Sequence, residues 1–299
     1  MENFRPPTFK ASDTEAYKKY LDKYGYVVIE DILPESVQAD LIEEFWKTWT
    51  YVSPNFKRED MSTWTKYVAP MMFAKGMASF SGLSHSDFMW KLRLREEIKG
   101  IFEKIHNTKE LCVSFDGFSV FFDKSQKNPK PWWHIDQHPD NKTYCVQGAY
   151  NFIEVKEDSS GLTIVPESHK TEHKAGVYKK DWVLISEKDV VKGQKLLIPA
   201  NCLTLWNSKL THANTGMTTP KKRFDRLTCY ITYLPRSLQN KEIKQQKIKA
   251  YNEGKTTSHW ANRCEVKVYP WGFGPQYEKK GFISIIPSEP IPEERLALF

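Results

Sequence analysis

Apolar residues along this chain recur first at helical spacing and then, from about residue 111, at strand spacing. Tyr17, Tyr20 and Leu21 fall on one side of a helix through Tyr24, which Ser12-Asp13-Thr14-Glu15 opens as a capping box and Gly25 closes. Tyr26-Val27-Val28-Ile29 follows as a compact apolar strand. Pro34 then starts a second helix, with Val37, Leu41, Phe45 and Trp46 at helical intervals. From Tyr51 to Leu83 the pattern is irregular and predicts a loop region reaching over a pocket. A longer helix after His85 turns Phe88, Leu92, Ile98, Ile101, Phe102 and Ile105 to one side. His85 and His106, at its two ends, read as capping or surface residues.

Beyond Leu111 the pattern predicts short strands over Cys112 to Phe122, Trp132 to Gln137, Tyr144 to Val155 and Leu162 to Val165. Three more follow at Lys195 to Ile198, Leu203 to Trp206 and Arg226 to Leu234. The alternating helices that a parallel α/β sheet requires are missing between them. The expectation is a mainly β fold with flanking helices, its core a jelly roll of the cupin-like, double-stranded β-helix type. A single domain over residues 1–299 accommodates this: an N-terminal helical and strand layer (1–110), the jelly-roll core (111–236) and a C-terminal extension (237–299). Asn240 to Tyr251 reads as a lysine-rich helix with a solvated face, and Pro270 onward as an irregular wrapping tail.

Charge and cysteine content narrow the class further. The formal charge is +7, spread along the chain, which leans toward acidic partners or substrates. Cys112, Cys145, Cys202, Cys229 and Cys264 are odd in number and lack CxxC spacing, as reduced thiols do. The first residues lack the pattern of a secretory signal, and no apolar run approaches membrane-spanning length. A cytoplasmic protein with no membrane partner is expected; oligomeric state stays open.

The candidate chemistry centres on Pro131-Trp132-Trp133-His134-Ile135-Asp136-Gln137. Residues two apart on an extended chain project the same way, so His134 and Asp136 share a face. With His212 as the natural third partner, they form the ligand set of non-haem Fe(II) with coordination positions left open. His138 falls at a turn with Pro139 and reads as non-ligating, and His169 and His173 as residues that shape a loop. His259, in Thr256-Thr257-Ser258-His259-Trp260, has no assigned role.

In this order the chain resembles the phytanoyl-CoA dioxygenase family of Fe(II)- and 2-oxoglutarate-dependent oxygenases. The resemblance runs through Gly25-Tyr26-Val27-Val28-Ile29, then Trp133-His134-Ile135-Asp136-Gln137. It continues with Gly161-Leu162-Thr163-Ile164-Val165-Pro166-Glu167-Ser168-His169-Lys170, Leu205-Trp206-Asn207-Ser208 before His212, and Arg226-Leu227-Thr228. It departs at Ser160 and Glu167, where family members usually carry glycine, and at Lys209, where many carry arginine. The resemblance implies Fe(II), 2-oxoglutarate and O2 as cofactor and cosubstrates, with release of succinate and CO2. It also implies that Asp136, a carboxylate where halogenating relatives have a small residue, favours oxygen chemistry.

The far carboxylate of 2-oxoglutarate needs a cation, ideally a guanidinium. Arg223 and Arg226 lie three apart and face opposite ways in one strand. Arg223 has the family's spacing from His212, whereas Arg226 shares a strand face with Thr228, like the Arg-x-Ser pair of related oxygenases; parity favours Arg226. Gln147, Tyr150 and Asn151 line the cosubstrate pocket where they face inward, and Phe115, Asp116, Ser119 and Trp133 are further lining candidates. The expected substrate is a small metabolite, acidic or amphipathic, oxidised at an unactivated C–H bond by hydroxylation, desaturation or ring closure. Rival readings are an oxygenase acting on nucleic acid or protein, for which no aromatic-basic module is evident, and a metabolite-binding jelly roll without turnover.

Overall fold

Gly25 ends the first helix, α1 (Thr14–Tyr24), in a left-handed turn at φ 81°, a conformation glycine adopts without strain. A Cβ there would sit 2.4 Å from the His169 ring, so the close approach also demands glycine. The capping box does not form: Asp13 stands at the N-cap without a capping bond, and its carboxylate accepts from the Lys10 N–H instead. Pro34 precedes α2 (Glu35–Val52) as expected. The long helix predicted after His85 is two, α3 (Asp87–Arg93) and α4 (Glu96–His106), because Arg95 takes an extended conformation between them. The computed structural model describes residues 1–72, 76–123, 131–172, 181–267 and 281–299. His173 and residues 270–280 of the tail lie outside the described residues.

The strands are β1 (Glu2–Phe4), β2 (Thr8–Phe9), β3 (Tyr26–Ile29), β4 (Met77–Ala78) and β5 (Leu111–Val113). They continue with β6 (Phe118–Phe121), β7 (His134–Ile135), β8 (Val146–Asn151), β9 (Gly161–Ile164) and β10 (Val183–Leu184). The last are β11 (Gln194–Leu196), β12 (Cys202–Asn207), β13 (His212–Thr215), β14 (Arg226–Tyr230) and β15 (Tyr233–Pro235). Among the described residues they form one sheet in the order β1-β11-β9-β13-β7-β10, a second in the order β2-β3-β12-β8-β14-β6-β4, and a β5–β15 pair. Tyr26, Val28, Ala149 and Trp206 of the second sheet pack against Leu162, Ile164 and Leu196 of the first. The opposite face of the second sheet, with Tyr150, Leu203, Leu205 and Leu227, packs on Phe45, Trp49, Phe88 and Phe102 of the helices. Two facing sheets with helices on one outer face make the jelly roll that the strand pattern predicts.

Some boundaries differ from the apolar runs. The Cys112 to Phe122 run divides between β5 and β6, in separate sheets, and the Arg226 to Leu234 run divides between β14 and β15. The backbone between β5 and β6 stays beside the stretch between β14 and β15, Ser114 N–H donating to Thr232 O at 2.9 Å and Tyr230 N–H to Gly117 O at 3.1 Å, but without a regular ladder. β13 carries His-Ala-Asn-Thr and lacks the apolar alternation of an ordinary strand. All five cysteines are free thiols. The helix α5 (Lys241–Asn252) is capped by Asn240, but its lysines are not all solvated. Lys247 is buried, its ammonium donating to Val113 O at 2.8 Å and Ala261 O at 3.1 Å. Among the described residues no helix is long and apolar enough to cross a membrane.

Candidate metal centre and the cavity around it

β7 and β13 pair antiparallel with His134 directly opposite His212. Asp136 follows β7, fixed by its N–H to Ser208 O at 2.9 Å. Two strands and a turn thus bring together side chains up to 78 positions apart in the chain. One ligand atom from each of His134, Asp136 and His212 lies within 4.8 Å of the others. His212 Nε2 is 3.3 Å from Asp136 Oδ2, and His134 Nε2 is 3.6 Å from Oδ1.

The backbone sets the tautomer of both imidazoles. His134 Nδ1 meets Trp132 O and His212 Nδ1 meets Leu210 O, each at 2.9 Å. A carbonyl only accepts, so Nδ1 carries the proton and the lone pair sits on Nε2, facing the cluster. Burial works against the Asp136 charge, but His134 and His212, whenever they carry the second proton that a metal would replace, outweigh it and hold the carboxyl well below its usual range. Gln147, opposite Trp206 in the β8–β12 register, donates to Asp136 Oδ2 at 3.0 Å. Trp132 stacks on His134 with centroids 4.0 Å apart, and Trp206 lies 5.5 Å from His212. Two nitrogen lone pairs and one charged carboxylate fit a non-haem iron, and three ligands leave coordination positions for other groups.

Strand parity on β14 turns Arg226, Thr228 and Tyr230 into the barrel and Leu227 and Cys229 toward the helices. Arg226 is 3% exposed. Its Nε donates to Thr228 Oγ1 at 3.0 Å and one terminal nitrogen to Asn214 Oδ1 at 2.9 Å. Thr228 donates in turn to Asn151 Oδ1 at 2.7 Å, and Asn151 to Thr204 Oγ1 at 3.1 Å. Both hydrogen-bond partners of the guanidinium are neutral, and among the described residues no carboxylate forms an ion pair with it. Arg223 is engaged elsewhere, bidentate to Asp158 at 2.8 Å and paired with buried Asp225 at 2.6 Å. Its half-exposed guanidinium ties a loop together and does not enter the barrel.

A cavity of about 670 Å³ opens over the three-residue cluster. A second space of about 10 Å³, enough for about one water, lies against Arg226 and shares Leu162, Trp206 and Tyr230 with the first as walls. Gln147 and Asp116 reach the larger cavity, and Asn151 lines the smaller one. Tyr150 faces the helices and bonds Asn201 Oδ1 at 2.7 Å. Ser119 bonds the Tyr230 hydroxyl at 2.9 Å, while Phe115 is core and Trp133 packs over Gly193. His138 accepts from the Asp140 N–H, and His169 bonds Asp22 O. His85 is buried against Phe115 and bonds Lys255 O at 2.8 Å, neither capping a helix nor reaching solvent. Sequence reasoning missed the segment Ser258–Lys267, which lines the cavity through His259, Arg263 and Lys267. No local pattern announces it, because it reaches the cavity only through long-range pairing.

A scan against models of known families returns no match. A curated relative from Aspergillus versicolor, "Ava biosynthesis cluster protein O", is 32% identical over 157 residues, 50% of this chain and 49% of that protein. The chain thus spans about half the length of the curated relative it matches. Among solved structures, the epimerase SnoN in complex with Fe3+, alpha ketoglutarate and nogalamycin RO superposes with a TM-score of 0.53 at 15% identity, over 75% of this chain and 84% of that one. EctD from S. alaskensis with 2-oxoglutarate and 5-hydroxyectoine gives 0.51 at 16%, over 79% and 80%. EvdO2 from Micromonospora carbonacea var. aurantiaca gives 0.51 at 12%, over 78% and 92%. The structural neighbours include non-haem iron and 2-oxoglutarate-dependent enzymes, and the jelly roll described above is the fold this chain has in common with them.

Proposed function

We propose that this chain is an Fe(II)- and 2-oxoglutarate-dependent oxygenase that oxidises a C–H bond of a small molecule and releases succinate and CO2. One observation carries the reading. Three metal-ligand atoms converge in one space, and a buried guanidinium with no acid partner among the described residues lines a second that shares Leu162, Trp206 and Tyr230 with it. The ligands named with SnoN and EctD support the same pair of cofactor and cosubstrate.

His134, Asp136 and His212 would hold the iron through Nε2, a carboxylate oxygen and Nε2, and Gln147 keeps the carboxylate turned inward. Bound Fe(II) with 2-oxoglutarate supplies activation of O2 by oxidative decarboxylation. Arg226 and Thr228 receive the distal carboxylate of the keto acid, with Asn214 and Asn151 fixing their orientation. Leu162, Trp206 and Tyr230 line both spaces, so a keto acid held between the iron ligands and Arg226 would need these side chains to give way. The same aromatic side chains exclude bulk water from the reacting centre. Asp136 occupies with carboxylate the position a halide would need, which favours oxygen transfer.

The test is succinate formation by the purified chain supplied with Fe(II), 2-oxoglutarate and O2. Succinate from the wild type and none from His134→Ala supports the reading. Equal yields from both, or none from either across a metabolite panel, sinks it.

A further inference from the structure

Residues Thr256 to Lys267 double back against the cavity as a short loop. Thr257 bridges Val266 antiparallel, Ser258 N–H donates to Glu265 O at 2.9 Å, and Lys267 N–H donates to Thr256 O at 2.9 Å. Thr257 N–H to Phe115 O at 3.0 Å anchors the loop to the barrel. It presents His259, Trp260, Arg263, Glu265 and Lys267 to the cavity.

Both cations of this loop are already matched. Arg263 meets Asp181 at 2.5 Å and Glu265 at 3.0 Å, and Lys267 meets Asp116 at 2.5 Å. Apart from the metal cluster, the described lining therefore holds Arg263 and Lys267 against Asp116, Asp181 and Glu265. An acidic ligand entering here finds each cation committed and carboxylates in excess. His259 is different: its ring lines the cavity, and its Nε2, covered in this conformation, has no hydrogen-bond partner among the described residues, so a ligand meets it when the ring turns. Leaving a buried polar atom unpaired is costly, so a ligand that satisfies it gains specificity. Much of the remaining lining is indole, from Trp132, Trp182, Trp206 and Trp260, which suits flat apolar surface.

We infer that the cavity, beside the space the keto acid would take, binds an uncharged, ring-bearing compound whose hydroxyl or carbonyl oxygen meets His259 Nε2, in preference to a ring-bearing acid or amine of like size. Naming that compound the substrate rests on the oxygenase reading; the binding preference does not. A neutral oxygen suits the imidazole because a ring nitrogen either donates to it or accepts from it, according to tautomer.

The experiment uses metal-free protein and calorimetric titration with four matched probes: naphthylmethanol, methylnaphthalene, naphthoate and naphthylmethylammonium. The wild type is expected to bind the alcohol about tenfold more tightly than each of the others, the worth of one good hydrogen bond. His259→Ala should erase the advantage of the alcohol over the hydrocarbon, and His259→Gln should restore part of it. Tighter or equal binding of either charged probe, an undiminished alcohol preference in His259→Ala, or no binding by any probe overturns the inference. No iron or turnover enters these titrations, so their failure is distinct from an absence of succinate.

Discussion

His134 and His212 face each other across adjacent strands, ring centroids 4.2 Å apart, each with Nδ1 bound to a carbonyl two residues earlier in the chain. The tautomer each needs as a ligand is therefore supplied by its own backbone. His134→Ala and Asp136→Ala are expected to abolish Fe(II)-dependent 2-oxoglutarate decarboxylation while far-ultraviolet circular dichroism stays that of the wild type. Metal retention by either variant at wild-type affinity would remove these residues from the centre.

Gln147 touches the centre only through Asp136, at 3.0 Å. Outer contacts of this kind are worth about 10–100-fold in metal affinity. Gln147→Leu should weaken Fe(II) or Co(II) binding by that order in a chelator competition, with Gln147→Glu behaving differently because it adds a charge. An unchanged affinity in Gln147→Leu would make the contact incidental.

Arg226 and Arg223 should separate cleanly. Arg226→Ala is expected to raise the KM for 2-oxoglutarate about a hundredfold, corresponding to about 2.7 kcal/mol, in the range for truncating a buried charge-paired contact. Arg223→Ala should leave that KM alone and instead lower stability by about 1–3 kcal/mol, because Asp225 loses a buried partner. Steady-state kinetics beside denaturant titration reads both effects, and the reverse pattern would move the role to Arg223.

Acid stability should report two histidines far from the centre. Burial pushes His85 down to about 3 and His106 down to about 4 from an ordinary value of 6.5. The unfolded chain takes up these protons first as pH falls, so their contribution is fully present above pH 6.5 and is lost progressively toward pH 4 and below. At about 1.4 kcal/mol per unit, the pair withdraws several kcal/mol. His106→Gln should flatten the fall of melting temperature between pH 6.5 and 4.5; an unchanged slope would assign the acid sensitivity elsewhere.

What the sequence made legible follows from short-range geometry. Alternation along β14 sets Arg226 and Thr228 apart from Leu227, and alternation along β8 turns Gln147 and Asn151 away from Tyr150, which the sequence left beside them as a lining candidate. The spacing of His134 and Asp136 carried the same information. The illegible parts depend on distant partners. Apolar, buried residues on both sides hide the break between β5 and β6, whose one local mark is the Asp116-Gly117 pair inside it. Lys247 sits in a lysine-rich run like its neighbours, and only the carbonyls of Val113 and Ala261 distinguish it. Likewise, the isolated Nε2 of His259 exists only once the loop from Thr256 to Lys267 has closed on the barrel.

Under the proposed function, the charge of Arg226, which has no acid partner among the described residues, links folding to metabolite supply. A guanidinium held out of water without a counter-ion weakens the empty protein, and an incoming dicarboxylate repairs the defect. At a hundred times its Kd a ligand adds about 2.7 kcal/mol, so 2-oxoglutarate should raise the wild-type melting temperature. Arg226→Met should melt no lower when empty and should ignore the keto acid. Residence time in a cell would then follow the level of the very compound the catalyst consumes, with starved molecules unfolding, and being degraded, sooner than supplied ones.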